Sequence, residues 1–299
     1  MIGEVAALGA AICWTASAVL YKKALRGTKP ISANIVRCTC TSMALIVFLA
    51  IIGKIWVLTR LPAYAAILTS VSGIIGLGFG DVLYLTSLKL IGVARAVPIT
   101  CTYPLFNILL AIFLQKEVVT SHVVVGAVAI VLGIWLLSRK EKNYVNEQSK
   151  RDLIKGAVSA LATAVIWSVS IALINMAVAL PKTGSLDYTL AVNTLRVLAT
   201  ALFLLASAPI TDRKLDFLKM QRGTLFAIVF GGIVALALGW FLLTMSFLYI
   251  SESQAVPISS TSPLFAAISG VLFLREPVTA KIVAGSVIIV IGIFMVFMS

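Results

Sequence analysis

The fold of this chain is decided by a stretch that occurs twice, as AVPITCTYPLFNILLAIFLQKEVVT at residues 96–120 and as AVPISSTSPLFAAISGVLFLREPVT at residues 255–279. The two copies align without a gap at an offset of 159 residues. Extending the alignment to residues 93–135 and 252–294 gives 18 identities in 43 pairs. A repeat with so long a period indicates that a whole structural unit has been duplicated.

The similarity between the two copies extends well upstream of this stretch. Further matched pairs occur at the same offset, or at 153 for the tryptophans: Asn34 and Asn193, Arg37 and Arg196, Gly80 and Gly239, Trp14 and Trp167. We therefore predict two homologous halves, residues 1–138 and 152–299. A polar, solvated linker is expected between them at residues 139–151.

The composition is typical of an integral membrane protein. The chain is 61% hydrophobic and 12% charged, with a mean hydropathy of +1.08. Its apolar runs are about 20 residues long, which is the length a helix needs to cross about 30 Å of hydrocarbon. The net charge of +13 comes from basic residues that lie between these runs, a pattern typical of membrane topology. The expected environment is therefore a lipid bilayer, and nucleic acid is not an expected partner.

The apolar runs predict ten transmembrane helices, five in each half, so that the two halves enter the membrane in opposite orientations. The predicted fold is all-α, with ten transmembrane helices arranged as two inverted five-helix repeats and a site near the midplane where the halves meet. The third and eighth runs are longer than a bilayer requires, so a tilt or kink is expected in each. The predicted spans are residues 3–21, 31–53, 63–90, 94–114, 121–138, 153–177, 187–208, 223–250, 253–274 and 279–298.

The basic residues of the loops set the predicted orientation. The odd-numbered loops hold eighteen Lys and Arg residues, whereas the even-numbered loops hold four. Because basic loops stay in the cytoplasm, both termini are expected outside. The protein is accordingly expected to be a multi-pass protein of the cell membrane, either a bacterial inner membrane or a plasma membrane.

Four prolines of the repeated stretch interrupt the predicted helices. Proline removes one backbone hydrogen bond and displaces the carbonyl four residues earlier, and free carbonyls inside a bilayer belong beside protein or a wet cavity. We favour a cavity lining over simple packing kinks whose hydroxyls bond to their own helix. The helix breaks are Pro98, Pro104, Pro257 and Pro263, and the polar residues beside them are Thr100, Tyr103, Asn107, Ser259, Ser260 and Ser262.

Three charged residues lie deep within predicted spans. Burial of charge in a membrane is costly, so such residues are functional candidates. Asp81 could bind a substrate ammonium group, carry a coupled proton or pair with Arg37. Arg37 and Arg196 could bind a carboxylate or phosphate, although we slightly favour snorkelling of their side chains to the interface.

The remaining polar and aromatic residues divide into structural and site candidates. Glu117 and Glu276 each precede a helix-capping threonine and are read as turn residues. No nucleotide-binding loop, metal-ligand cluster or nucleophile motif occurs in the sequence, so neither cofactor nor enzymatic activity is expected. The aromatic residues expected near the central cavity lie in the middle of spans: Trp14, Tyr84, Tyr103, Trp167 and Trp240.

In these features the chain resembles the drug/metabolite transporter superfamily, specifically its ten-span members with two EamA-type domains. The resemblance covers nearly the whole chain. It implies a secondary transporter, often an exporter of amino acids or related metabolites, with a cavity near the pseudo-two-fold axis. Asp81 is not part of this family pattern. The resemblance is carried by Trp14 and Trp167, Arg37 and Arg196, the proline-containing fourth spans, the turns Glu117 to Thr120 and Glu276 to Thr279, and the glycine-rich fifth spans with Gly126, Gly133, Gly285 and Gly292.

We therefore predict a gradient-driven exporter of small organic metabolites, with amino acids or similar zwitterions favoured because Asp81 and the two arginines offer both signs of charge. The alternative is a proton-coupled antiporter of lipophilic cations, for which Asp81 would be indispensable. A membrane-embedded transferase and a non-transporting scaffold are the rivals from other classes. The predicted site comprises Trp14, Arg37, Asp81, Tyr84, Thr100, Tyr103, Asn107, Trp167, Arg196, Trp240, Ser259, Ser260 and Ser262.

Overall fold

The computed structural model describes residues 1–91, 93–137, 149–179, 185–265, 268 and 280–298, and no strand occurs in these ranges. The linker prediction for 139–148 and the turn prediction for Glu276 and Thr279 lie outside the described residues. The helices are α1 (Ile2–Ala24), α2 (Pro30–Ile51), α3 (Ala63–Ile91), α4 (Val93–Thr100), α5 (Tyr103–Gln115), α6 (Ser121–Leu137), α7 (Lys150–Ala179), α8 (Leu186–Thr211), α9 (Arg222–Ser246), α10 (Glu252–Ser259) and α11 (Ala280–Phe297).

Five of these helices are long and apolar enough to cross a membrane, namely α2, α3, α7, α8 and α9. Their ends follow local signals in the sequence. Pro30 occupies the first turn of α2, where its missing N–H costs nothing. Ser185 caps α8 by accepting a hydrogen bond from the backbone N–H of Tyr188 at 3.2 Å. Gly53 follows α2 with a φ of +68°, a conformation that glycine adopts without strain.

The third helix of each half, α3 and α9, contains a π-helical segment of seven residues. These segments are Ile74–Gly80 and Ile233–Gly239, which lie at the repeat offset of 159. Wider turns of this kind disturb the regular ladder of backbone hydrogen bonds and are a recognised cause of bends. Both halves therefore carry a segment of the kind that bends helices, in the runs for which a tilt or kink was predicted.

The last helices of the two halves, α6 and α11, show directly that the halves are inverted. A Cβ built on Gly126 would lie 2.7 Å from the carbonyl oxygen of Gly292, and one built on Gly133 would lie 2.8 Å from that of Gly285. By the repeat offset, however, Gly126 corresponds to Gly285 and Gly133 to Gly292. Gly126 thus lies beside the counterpart of Gly133, and Gly133 lies beside the counterpart of Gly126. This arrangement requires the two equivalent helices to run antiparallel.

The first helix of each half packs against the π segment of the other half. A Cβ on Gly80 would lie 2.9 Å from the Trp167 ring, and a Cβ on Gly239 would lie 2.9 Å from the Trp14 ring. Only glycine allows an indole to approach the backbone so closely. The two halves therefore interlock at the centre of the molecule, and the core cannot be divided between them.

Ion pairs join α2 and α8, the second helices of the two halves, near both of their ends. Lys54 lies 2.7 Å from Asp187 at one end. At the other end Lys29 lies 3.7 Å from the buried Asp212, which also accepts a hydrogen bond from Ser32 at 2.9 Å. Lys29 also donates to Asp216 at 2.5 Å, and this hydrogen bond lowers the pKa of that exposed carboxyl group. In each pair between α2 and α8 the first half supplies the cation.

Candidate functional site

A buried ion pair lies where α2 meets the end of the π segment of α3. Arg37 donates from Nη2 to Oδ2 of Asp81, and also to Oδ1 of Asn34 at 2.7 Å. Each member of the pair is 5% exposed. The pairing that the sequence analysis considered for Asp81 is the one that the structure contains, and it fixes the carboxylate inside the bundle.

The other half of the chain supplies an indole to the same carboxylate. Trp167 of α7 donates from Nε1 to Oδ1 of Asp81 at 2.9 Å. Its ring centroid lies 5.0 Å from that of Tyr84 and 6.0 Å from that of Tyr103, the latter in an edge-to-face arrangement. Asp81 therefore contacts both halves of the molecule.

The second half contains an equivalent arrangement in which the carboxylate is replaced. Trp240 stands at the position that corresponds to Asp81, and the guanidinium carbon of Arg196 lies 3.7 Å from its ring centroid. The ring of Trp14, the counterpart of Trp167, lies 5.3 Å from that of Trp240. The two halves thus place equivalent helices around the site, but the residue at the position of Asp81 in the first half is Trp240 in the second.

Arg196 is the less satisfied of the two arginines. It is 0% exposed and donates from Nη2 to the hydroxyl of Ser170 at 2.8 Å. Within the described part of the chain, its Nε and Nη1 have no hydrogen-bond partner. Snorkelling was the account that the sequence analysis slightly favoured for both arginines, and it is wrong because both guanidinium groups are buried among helices of the bundle.

The centre carries an excess of positive charge. The centre contains two buried guanidinium groups and one buried carboxylate, and Asp81 pairs with Arg37, whereas Arg196 forms no ion pair within the described residues. An uncompensated buried cation is costly in a medium of low dielectric constant. The centre is accordingly suited to an anion, and a carboxylate or phosphate group would complete its hydrogen bonds.

Asparagine side chains of α2 and α8 satisfy the backbone of the two π segments. Asn34 donates from Nδ2 to the carbonyl oxygen of Leu77 at 2.7 Å, and Asn193 donates to that of Leu236 at 3.0 Å. Both asparagines are 0% exposed. Because Asn34 also binds Arg37, the irregular backbone and the charged centre are held together in the first half.

The helices are interrupted just before two of the four prolines that the sequence analysis took as helix breaks, and the other two prolines lie within helices. Helix α4 ends at Thr100 and α5 starts at Tyr103, whereas α10 ends at Ser259 and residues 262–265 are helical again. Pro104 and Pro263 are each the second residue of the helical segment after a break. Because the first N–H groups of a helix have no partner within it, the missing N–H groups of these prolines cost no hydrogen bond. Pro98 and Pro257 lie inside α4 and α10.

The polar residues at the breaks bond partly to their own helices and partly across the molecule. Ser259 and Ser260 donate to the carbonyl oxygens three residues earlier, at 2.9 and 2.7 Å. The hydroxyl of Ser259 also lies 3.4 Å from that of Tyr103. The carbonyl oxygen of Ser262 accepts a hydrogen bond from Thr15 at 2.8 Å, and Thr100 is 2% exposed. The breaks are therefore close to the aromatic centre through Tyr103.

One predicted residue and several unpredicted ones form a second polar cluster outside the centre. Asn107, one turn beyond Tyr103 on α5, donates to the carboxylate of Glu252 at the start of α10. Glu252 is 1% exposed, and sequence reasoning missed it because its counterpart in the repeat is Val93 and it precedes the predicted span by one residue. The described residues contain no group of three or more His, Cys, Asp or Glu side chains that could hold a metal ion.

An open cavity of about 450 Å³ lies beside this second cluster. Its lining comes from the ends of α5 and α7 and the starts of α3 and α10, so it lies at the end of the bundle that carries the even-numbered loops. Beside Arg37, by contrast, the cavity volume is only about 10 Å³. The described residues that line the larger cavity, of about 450 Å³, are Tyr64, Leu114, Gln115, Glu117, Asn175, Met176, Ala179, Phe247, Ile250, Ser251 and Glu252.

Two interlocked, inverted helical halves around a buried charged centre are the architecture of a multi-pass membrane transporter. Residues 1–139 and 154–298 each match the EamA-like transporter family. The chain therefore belongs to the EamA-like transporter family.

Individual relatives agree with this assignment. The chain is 26% identical over 298 residues to an uncharacterized transporter of Archaeoglobus fulgidus, a match that covers 100% of this chain and 99% of that protein. It is 25% identical over 202 residues to an uncharacterized transporter of Clostridium kluyveri, covering 67% of this chain and 61% of that protein. A solved crystal structure superimposes with a TM-score of 0.77 at 19% identity, over 98% of this chain and 95% of the other, which supports the fold.

Proposed function

We propose that this transporter is a gradient-driven exporter of small zwitterionic metabolites, with amino acids as the favoured class, working by alternating access. The observation that carries the proposal is the environment of Arg196. Its guanidinium group is fully buried, lies 3.7 Å from the Trp240 ring and has two nitrogens without a partner in the described chain. A substrate carboxylate is the group that such a cation lacks.

The charge balance supports an anionic group over a cationic one at the centre. Asp81 is already shared between Arg37 and Trp167, so its carboxylate is not free to serve as the sole counter-ion of a substrate amine. The excess positive charge belongs to the second half, where Trp240 replaces the carboxylate. A bound carboxylate would restore in the second half the neutrality that Asp81 provides in the first.

The remaining parts of the proposal have separate supports. Gradient coupling is supported by the sequence, which carries no nucleotide-binding loop that could drive transport with ATP. Export is supported by the family resemblance. Alternating access is supported by the inverted halves and by the contrast between an open cavity at one end and the nearly closed space beside Arg37.

The alternative, a proton-coupled antiporter of lipophilic cations, is supported by the aromatic surroundings of the centre. Trp14, Trp167, Trp240 and Tyr84 could stack against an organic cation. This function requires Asp81 to leave Arg37 in part of the cycle. The two functions therefore differ in whether Asp81 is essential for coupling.

Counterflow in proteoliposomes tests the proposal. Vesicles would be loaded in turn with amino acids, sugars, nucleotide sugars and quaternary cations, with and without a pH gradient, for wild type and Asp81→Asn. Uptake of amino acids that persists in Asp81→Asn without a pH gradient supports the zwitterion exporter. Flux of quaternary cations that needs both Asp81 and the pH gradient would establish the antiporter instead.

A further inference from the structure

Glu252 forms a second polar centre whose carboxylate belongs to one half and whose ligands belong mainly to the other. Asn107 donates from Nδ2 to its Oε1, and Gln115 donates from Nε2 to its Oε2. Asn175 donates in turn to the side-chain oxygen of Gln115. Two amides of α5 thus bind the carboxylate at the start of α10, and one amide of α7 orients Gln115.

The charge of this carboxylate is not neutralised within the described part of the chain. Glu252 makes no ion pair there, and none of the described residues that line the adjoining cavity is Lys, Arg or His. Glu117, the nearest other acid, accepts hydrogen bonds from the backbone N–H groups of Glu252 and Ser253 at 3.1 and 3.2 Å. The region is therefore negative, and its second acid is already used to cap α10.

An acceptor beside the carboxylate lacks a donor. Asn107 is 0% exposed, and its Oδ1 has no hydrogen-bond partner in the described chain. This oxygen belongs to the same amide that donates to Glu252, so it lies next to the carboxylate. Buried polar atoms are nearly always paired, so this orphan acceptor leaves the cluster around the carboxylate incomplete within the described chain.

The space beside Glu252 accommodates an organic molecule. The open cavity of about 450 Å³ falls within the range of small-molecule sites, and the rings of Tyr64 and Phe247 line it. A primary ammonium group offers three donors and a positive charge, which match the Glu252 carboxylate at the wall of the cavity. Asn107 is not among the described lining residues, and its part is to orient that carboxylate. Aromatic rings around the ammonium group add attraction for the cation.

We propose that Glu252, whose carboxylate is held by Asn107 and Gln115, binds the primary ammonium group of an organic substrate in this cavity. The amide donors at both carboxylate oxygens suit an ionised Glu252, which only accepts, better than a neutral acid, which must also donate. The site adds a binding residue to the proposed function. It rests on that function in one respect, which is that the ammonium group is taken to belong to the transported zwitterion. Arg196 at the centre and Glu252 at the cavity would then hold the substrate at successive stages, the first through its carboxylate and the second through its ammonium group.

A chain of contacts connects the two centres. Asp81 binds Trp167, whose ring packs against Tyr103, and the Tyr103 hydroxyl lies 3.4 Å from that of Ser259. Asn107 follows Tyr103 by four residues of α5, which is about 6 Å along the helix axis. A substrate passing from the centre to the cavity would therefore exchange polar partners over short steps.

Binding of small ammonium probes to the full chain in lipid nanodiscs tests the site. Titration calorimetry would compare butylammonium, butyrate and sodium chloride, with wild type, Glu252→Gln and the control Asp187→Asn, an acid that is paired with Lys54 near the same end. The expected result is at least tenfold weaker butylammonium binding in Glu252→Gln, unchanged binding in Asp187→Asn and no preference for butyrate at this site. Equal butylammonium affinity in wild type and Glu252→Gln would overturn the proposal.

Further outcomes separate this site from its rivals. If Glu252→Gln keeps its butylammonium affinity but loses uptake driven by a pH gradient, Glu252 carries a proton and the ammonium site is refuted. Loss of binding in Asp81→Asn alone would move the amine to the centre and also refute it. Should Glu252→Gln not fold, Asn107→Ser replaces it, with at least threefold weaker binding expected and unchanged binding contradicting the proposal.

The same measurements distinguish failure of the site from failure of the proposed function. Butylammonium binding that depends on Glu252, together with no amino acid counterflow in wild type, would support the site and reject the zwitterion exporter. Amino acid counterflow together with binding that is indifferent to Glu252→Gln would support the exporter and reject the site.

Discussion

Arg196 lies with its guanidinium carbon 3.7 Å from the centroid of the Trp240 ring, at the position where the first half pairs Arg37 with Asp81. An ion pair in one half therefore corresponds to a cation–π contact in the other. Because the helices around both positions are related by the repeat, the difference comes from the single exchange of Asp for Trp. The result is a pseudo-symmetric scaffold with an asymmetric charge, in which the guanidinium group of the second half forms no ion pair within the described residues.

Removing one member of the buried pair is expected to destabilise the protein strongly. Asp81→Leu leaves the buried Arg37 uncompensated and should cost about 3–5 kcal/mol, whereas the double variant Arg37→Met/Asp81→Leu should cost less than the sum of the single changes. Unfolding of the detergent-solubilised protein in denaturant measures both.

The pair Lys54 and Asp187 is the matched control because it is partly exposed, with side chains 40% and 37% accessible. Its removal should cost about 0–1 kcal/mol. Equal losses for Asp81→Leu and Asp187→Leu would contradict the burial and the pairing of Asp81.

Loss of the asparagines that satisfy the π segments should destabilise both halves, and Asn34→Leu more than Asn193→Leu because Asn34 also accepts a hydrogen bond from Arg37. Asn34→Leu and Asn193→Leu each leave the carbonyl oxygens of a π segment without a donor, at a cost of about 1–3 kcal/mol. Thermal unfolding in detergent measures the effect, with Gln221→Leu at an exposed helix start as the control. A large loss for one asparagine and none for the other would mean that the two segments are not equivalent.

A methyl group at the contact between the last helices should force them apart. Gly126→Ala places a carbon 2.7 Å from the carbonyl oxygen of Gly292, and such overpacking costs about 1–3 kcal/mol. Gly223→Ala is the control because no atom would lie within 4 Å of its new carbon. If both variants unfold at the same temperature, α6 and α11 do not approach as described.

The predicted orientation can be tested by labelling from outside the cell. In a variant without Cys13, Cys38, Cys40 and Cys101, Thr59→Cys and Lys214→Cys introduce single reporters at exposed positions near opposite ends of the bundle. A membrane-impermeant maleimide should label the Thr59 position in intact cells and the Lys214 position only after permeabilisation. The reverse pattern would place both termini in the cytoplasm.

Much of the architecture could be predicted because it depends on patterns that recur along the chain. The gapless offset of 159 residues locates Gly126 and Gly285 as counterparts, and their antiparallel contacts follow once five spans fall in each half. The same alignment places Asn34 and Arg37 on their partners, and a shorter offset of 153 places Trp14 on Trp167. Length alone indicated an irregularity in α3 and α9, although it could not say that the irregularity is a π segment.

The site was harder to predict because its contacts join distant parts of the chain. Helical periodicity does not reveal which neighbour a side chain faces, so the burial of Arg196 under Trp240 could not be distinguished from snorkelling. Glu252 was missed for a related reason, since its burial depends on Asn107 and Gln115 of the other half. A charged residue at a helix start ordinarily lies in the interface, and only tertiary packing makes this one buried.

The most direct test of the central claim is competition for amino acid counterflow by three analogues with one carbon skeleton: the amino acid, its amide and its deaminated acid. They would be compared in wild type, Arg196→Gln and Arg196→Lys. We predict that in wild type the amide competes at least tenfold less well than the amino acid, because a charged hydrogen bond is worth about 1.5–3 kcal/mol. In Arg196→Gln this discrimination should disappear, and Arg196→Lys should restore it in part. An amide that competes as well as the amino acid in wild type, with no change in Arg196→Gln, would contradict the assignment of Arg196 as the carboxylate site.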